Sequence, residues 1–218
     1  MRKKIKIEVV SDVVCPWCYI GKRRLEKAMG EVSDQFEFEV SYLPFELNPD
    51  MPKEGKNQKE HLVSKFGGED RYHQLTKHVS SVAAEEGLRF DLEKQNRTPN
   101  TRDAHRVIWF AKRFGKQEAV KEALLTAYFE KGIDLTRQEN LIEMASQSGL
   151  DVERVKKLLD SEEGNVEVAY LEQINHQRKI SGVPFYIINE KYGVSGAQPS
   201  EAFMNMFVQI SSPQKGDA

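Results

Sequence analysis

The run Ile5-Lys6-Ile7-Glu8-Val9-Val10-Ser11-Asp12-Val13-Val14-Cys15-Pro16-Trp17-Cys18-Tyr19-Ile20-Gly21 decides the fold. Ile5, Ile7 and Val9 alternate with charged residues, so the run opens as a β-strand with those three side chains on one face. Ser11 to Val14 form a short link, and a helical pattern starts at the cysteines. Ile20, Leu25 and Met29 continue its apolar stripe after Trp17, until Gly30 supplies a stop signal. Phe36, Phe38, Val40 and Tyr42 then alternate with Glu37, Glu39 and Ser41, a second strand that Pro44 ends. Strand, helix and strand within the first 45 residues predict a βαβ unit with a right-handed crossover.

The chain holds two cysteines, and both lie in this run. A disulfide between residues three apart closes too small a loop to stabilise a fold, so a disulfide-stapled secreted domain is excluded. At the start of a helix, unsatisfied backbone N–H groups and the positive end of the dipole favour thiolate over thiol. Cys18 lies one turn after Cys15 on the same face, placed to resolve a mixed disulfide formed there. Pro16 suits the first turn, where its missing N–H costs nothing. Strand, Cys-X-X-Cys and helix inside a βαβ unit point to thioredoxin-like redox chemistry. Two other readings compete. His73 and His78 have a spacing some zinc sites use, but they lie some 50 residues beyond Cys18 and no second Cys-X-X-Cys exists, so no metal site is predicted. Inert core cysteines would have no reason to stand at helix-turn spacing beside a proline.

With 218 residues, 39% hydrophobic and 30% charged, the chain can bury one sizeable core or one domain with a large insertion. A net charge of -2 leaves no global electrostatic footprint for nucleic acid or an anionic membrane. Met1-Arg2-Lys3-Lys4 is basic, but the charges of the first strand preclude a signal-peptide core, and Met1 is expected to start the mature chain. No apolar run approaches the ~18 residues of a membrane span. A cytoplasmic location follows as the expectation, and there the thiol pool is reducing.

From roughly Gln58 to Ile180 nearly every signal is helical, after a polar, turn-rich loop at Asn48 to Gly55. Thr101 is a candidate cap for a helix carrying Ala104, Val107, Ile108 and Ala111, Thr136-x-x-Glu139 reads as a capping box, and Asp151 caps a short helix. Phe185 to Ile188 suits a buried strand, joined through Asn189 to Gly193 to a second short strand at Val194-Ser195. Pro199 opens a last helix with Phe203, Met206, Phe207 and Ile210, and the polar tail from Ser211 is expected to fray. Gly182-Val183-Pro184-Phe185 places an X-Pro bond before a strand. Alone it reads as a plain turn; beside an N-terminal Cys-X-X-Cys it reads as a cis turn whose Val183 backbone pairs with an extended peptide lying across Cys15.

Five ordered stretches resemble one family: Asp12 to Gly21, Phe45-x-Leu47-Asn48-Pro49, Pro99-Asn100-Thr101-x-x-Ala104-His105, Gly182 to Phe185, and Tyr192 to Pro199. Together they resemble the DsbA-like thioredoxin family, nearest its FrnE-type oxidoreductases, relatives of kappa-class glutathione transferases and 2-hydroxychromene-2-carboxylate isomerases. The resemblance implies an α/β thioredoxin fold with a large all-helical insertion domain. Residues 1–45 and 181–218 would form the thioredoxin-like part and 46–180 the insertion. It implies a cis Pro184, Cys15 as nucleophile and Cys18 as resolver. The transferase and isomerase relatives carry serine at the Cys15 position, so both cysteines here favour thiol-disulfide exchange, with a glutathione-dependent transferase or isomerase as the alternative.

Around the catalytic pair, Trp17, Asn48, Val183 and Pro184 are the expected substrate-binding residues, with Pro16, Asn100, His105, Ser195 and Gln198 as further candidates. Trp17 is expected to stay partly exposed as a groove wall. Val183 and the Ser195-Gly196-Ala197-Gln198 loop are the places where glutathione would sit, as a candidate co-substrate; no cofactor is required. Asp12 is expected to cap the link or the cysteine helix, and His105 to be a satisfied helix histidine. His61, His73, His78 and His176 lack a partner pattern and are assigned to solvated faces. Lys22-Arg23-Arg24 and Lys156-Lys157 are read as exposed helix charges. The expected partners are disulfide- or thiol-containing proteins or small molecules, with no nucleic acid and no membrane, and the chain a monomer or homodimer.

Overall fold

Strand β1 (Lys3–Ser11) pairs in parallel with β2 (Phe36–Pro44), and helix α1 (Pro16–Glu31) connects them, in the computed structural model, which describes residues 2–211. The alternation of Ile5, Ile7 and Val9 sends all three into the core at 1%, 0% and 3% exposure. Each fully buried side chain of this size is worth ~1.5–3 kcal/mol. α1 runs one residue past Gly30, which is not in a left-handed conformation and therefore does not end the helix.

Helices α2 (Gln58–Phe66), α3 (Glu69–Glu85), α4 (Arg102–Lys112), α5 (Gln117–Phe129), α6 (Gln138–Gln147), α7 (Val152–Leu159) and α8 (Asn165–Gln177) follow. Strands β5 (Phe185–Ile188) and β6 (Tyr192–Ser195) complete the sheet, and α9 (Ser200–Ser211) ends the described chain. The stretch between β2 and β5 is not wholly helical. Two-residue strands β3 (Lys56–Asn57) and β4 (Arg97–Thr98) pair antiparallel, and Leu92–Lys94 form one 3₁₀ turn. Pieces this short carry no readable periodicity. The expected frayed tail lies outside the described residues apart from Ser211, the last residue of α9.

The sheet order is β2-β1-β5-β6, with β5 antiparallel to both neighbours. α1 and α9 pack together, and Phe203 and Phe207 of α9 are fully buried. A smaller apolar cluster of Val10, Leu43, Phe45, Ile180 and Ile187, joined by Leu171 of α8, lies on the opposite face from Ile5, Ile7 and Val9. β2 is an edge strand, and the helices close its edge with side chains that imitate a neighbouring strand. Gln117 accepts from Tyr42 N at 2.9 Å and donates to Tyr42 O at 3.0 Å, and Asn175 donates to the Pro44 carbonyl at 3.1 Å.

Several local expectations change. Thr136-x-x-Glu139 forms no capping box: α6 is capped from Arg137 without a side-chain bond, and the Thr136 N–H goes to Asp134. Thr101 is the N-cap residue of α4 but makes no side-chain cap bond; Asn100 Oδ1 instead accepts from Arg102 N at 2.9 Å. Asp151 does cap α7, accepting from Arg154 N at 2.9 Å. Lys22, Arg23 and Arg24 are not free surface charges. Lys22 is 4% exposed and reaches Glu122 at 2.8 Å, Arg23 pairs with Glu26 and Glu122, and Arg24 bonds both Glu86 and the Ala197 carbonyl. This cluster ties α1 to α5. Burial alone would raise the Glu122 carboxyl, but hydrogen bonds from Arg23 and Lys22 outweigh it and hold the group at about 2.

Candidate active site at the start of α1

Cys15 is the N-cap residue of α1, in extended backbone conformation, and Pro16 takes the first helical position. The Cys18 N–H donates to the Cys15 carbonyl at 3.0 Å, the turn that stacks the two residues. Both thiols are free, at 4% and 3% exposure. The Cys15 thiol points to the Val183 carbonyl, Sγ to O 3.5 Å, and the Val183–Pro184 peptide is cis. Burial pushes the Cys18 thiol well up, and the hydrogen bond and charge of Cys15 push it the same way; Lys121 pulls against them.

Helix α1 reaches this position because Gly21 lets it approach the sheet. A Cβ on Gly21 would lie 2.2 Å from Tyr186 Oη and 3.2 Å from Pro184 Cγ. The link before the cysteines is fixed by Asp12, which is fully buried. Its Oδ1 accepts from Val13 N at 2.7 Å and its Oδ2 from Leu47 N at 2.8 Å, and His105 Nε2 stands 3.2 Å from Oδ1. Burial favours a protonated Asp12, but the His105 hydrogen bond and charge, with the Leu47 N–H, hold it below the ordinary carboxylate range. Asp12 therefore secures the Leu47-Asn48 loop to the cysteine link.

Cys15 opens onto an apolar cavity of about 360 Å³. Val14, Pro16 and Trp17 form its near wall, Leu62 and Phe66 of α2 and Leu75 and Val79 of α3 roof it, and Phe129 and Val183 close it. Asn48 lines the rim, its Oδ1 accepting from Lys65 Nζ at 3.0 Å. At the floor Gln58 Nε2 donates to Gln95 Oε1 at 3.2 Å and Gln95 Nε2 to the Tyr128 carbonyl at 2.9 Å, so these buried amides are satisfied within the protein. Trp17 is partly exposed, with its ring centroid 6.0 Å from that of His78.

Cys15, Pro16, Trp17, Asn48 and Val183 come together around this cavity. Pro184 lies buried behind them against α1 rather than in the wall. Four other candidates stand elsewhere. Asn100 serves a turn, bonded to the Met51 carbonyl and Arg102 N. His105 is satisfied and acts on Asp12 from behind the cysteines. Gln198 folds back to the Ser195 carbonyl at 2.8 Å, and Ser195 is paired with Phe185 in the sheet, so neither faces the cavity. Among the histidines, His78 has a partner in Trp17, His176 lies 5.6 Å from the Phe45 ring, and His61 is half-buried with its Nε2 unbonded. Sequence reasoning missed Gln58, Gln95 and above all Lys121, 1% exposed on α5. A lysine at helical spacing from Leu124 and Leu125 on a mostly apolar helix was the available signal.

The chain matches the family described as DSBA-like thioredoxin domain over residues 6–207. A probable DsbA oxidoreductase of Streptomyces coelicolor is 32% identical, with a TM-score of 0.88, covering 98% of this chain and 94% of that one. An uncharacterized Bacillus subtilis protein, YwbO, is 24% identical over 97% of this chain and 98% of its own. The cytosolic disulfide reductase DsbM of Pseudomonas aeruginosa, solved with GSH, shares the fold at 15% identity and a TM-score of 0.67, over 94% of this chain and 99% of that one. The chain belongs to the DSBA-like thioredoxin family, a family of thiol oxidoreductases.

Proposed function

We propose that the protein exchanges disulfides with protein or small-thiol substrates, with Cys15 as the attacking group and Cys18 as the resolving one. The arrangement of two free, buried thiols, of which Cys15 lines an apolar cavity and Cys18 does not, carries this reading. The Cys15 thiolate attacks one sulfur of a substrate disulfide, forming a mixed disulfide and releasing the other half as a thiolate. Cys18 then gives up its proton and attacks Cys15 Sγ, expelling the second half. The substrate gains two electrons and the protein holds a Cys15–Cys18 disulfide; the reverse sequence oxidises a dithiol. The high pKa direction of Cys18 keeps it protonated until the mixed disulfide forms, which orders the two steps.

The Val183 carbonyl stands beside Cys15, where an extended peptide would meet it, and Trp17 and Asn48 flank the same mouth. Residues from α2 and α3, inside the proposed 46–180 insertion, roof the cavity, so substrates with an apolar side chain next to the disulfide fit best. No helix among the described residues is long and apolar enough to cross a membrane. We place the reaction in the cytoplasm, with glutathione as candidate co-substrate, as for the cytosolic disulfide reductase DsbM, solved with GSH. The test is catalysed reduction of a peptide disulfide by glutathione. Cys15→Ser should abolish turnover, and Cys18→Ser should accumulate a mixed disulfide visible by mass spectrometry. Full activity in Cys15→Ser would overturn the proposal; strict glutathione dependence with Cys18 dispensable would favour the transferase or isomerase alternative.

A further inference from the structure

Behind the redox centre lies a second cavity, of about 210 Å³, between the ends of β1 and β2 and helices α4, α5 and α8. It is separate from the cavity that Cys15 opens, and the two share no lining residue. Its polar lining is cationic or neutral: Lys121, Lys112, His105, Ser11, Gln117 and Tyr42, with no carboxylate. Its remaining walls are apolar, chiefly Leu43, Ile108, Trp109 and Leu171.

Two buried polar atoms here have no hydrogen-bond partner, Lys121 Nζ and Ser11 Oγ, at residue exposures of 1% and 2%. A buried ammonium without a partner is costly, and buried polar groups are otherwise satisfied almost everywhere in proteins. The nearby carboxylate and amide are already used. Both Asp12 oxygens are taken by Val13, Leu47 and His105, and both polar atoms of the Gln117 amide by the backbone of Tyr42. The space is far larger than the ~10–15 Å³ that one water requires.

We propose that this cavity is a binding site for a small organic monocarboxylate with an apolar body. The carboxylate would pair with Lys121 and accept from Ser11 Oγ, and the hydrocarbon part would lie on Leu43, Ile108 and Trp109. The site adjoins the redox centre through Lys121: burial pushes its amine towards the neutral form, Cys18, Asp12 and Cys15 pull it back, and a bound carboxylate would favour the ammonium. Binding itself does not depend on the redox proposal.

Trp109 lines the site and Trp17 does not, so Trp109 fluorescence in the Trp17→Phe protein reports occupancy, with calorimetry on the unaltered protein as the second readout. Titration with benzoate and with isobutyrate should give saturable binding of at least one of them. Lys121→Met should weaken it more than tenfold, with a urea midpoint checking that the variant is folded under the conditions of the titration. Ile108→Trp, which keeps the lysine and fills the space, should also block it. Absence of saturable binding for both acids, or equal binding by Lys121→Met, would overturn the proposal. Inorganic phosphate binding as tightly as the organic acids would overturn the apolar part of the assignment.

Discussion

Cys15 Sγ stands 3.5 Å from the carbonyl oxygen of Val183, a residue 168 positions away in the chain. The contact joins the start of α1 to the turn before β5, so the reactive sulfur and the backbone that would hold an extended substrate are parts of one surface. Cys18, one turn deeper, lacks this opening. The two cysteines therefore differ in environment although their spacing in sequence is symmetrical.

That difference sets an expectation for Cys18 alone. In the Cys15→Ser protein its thiol keeps the largest cause of its raised pKa, which is burial. Iodoacetamide should modify it slowly at pH 7, with a rate that climbs only above the range of an ordinary cysteine. Alkylation at pH 7 as fast as that of free cysteine would contradict the buried, resolving role.

Gly21 is a packing requirement. An added methyl must displace Tyr186 Oη, and overpacking typically costs ~1–3 kcal/mol, partly offset by the ~0.5–1 kcal/mol that alanine gains over glycine inside a helix. Gly21→Ala should lower stability by about 1–2 kcal/mol in urea unfolding. Tyr186→Phe removes the clashing oxygen, so the double variant should recover most of the loss. Equal losses with and without Tyr186→Phe would mean that the clash lies elsewhere.

Glu46 makes stability depend on pH. Burial, then the charge of Glu172, pushes its carboxyl up to about 8 from an ordinary 4.5, against the pull of Arg102. A raised acid binds its proton more tightly in the folded state, so its contribution is complete below about 4.5 and is lost as pH rises through about 8. Glu46→Gln should flatten this part of the Tm–pH profile. An unchanged slope between pH 5 and 8 would assign the dependence to other groups.

How much of this was legible in the sequence differs from one element to the next. Ile5 to Val9, Phe36 to Tyr42 and Phe185 to Ile188 disclose their strands because alternation or an unbroken apolar run records burial directly. Cys15, Pro16 and Trp17 mark the site because a reactive pair at a helix start has few other uses. The roof was legible only as apolar helix faces: nothing local tells Leu62 or Val79 that a cavity, and not a helix, lies opposite. Ser195 and Gln198 stand away from the cavity because the Gln198 side chain donates to the Ser195 carbonyl and Ser195 pairs with Phe185, local bonds that composition does not reveal. Lys121 had one local signal, its spacing from Leu124 and Leu125, but its burial results from elements that meet only in the folded chain.

The division of labour between the two cysteines is tested most directly by stopped-flow reaction of the single-cysteine proteins with an aromatic disulfide at pH 7, following release of the aromatic thiol. With Cys15 at the cavity mouth and Cys18 buried, Cys18→Ser should react at least ~100-fold faster than Cys15→Ser. Equal rates, or a faster reaction at Cys18, would contradict the assignment of Cys15 as the attacking thiol.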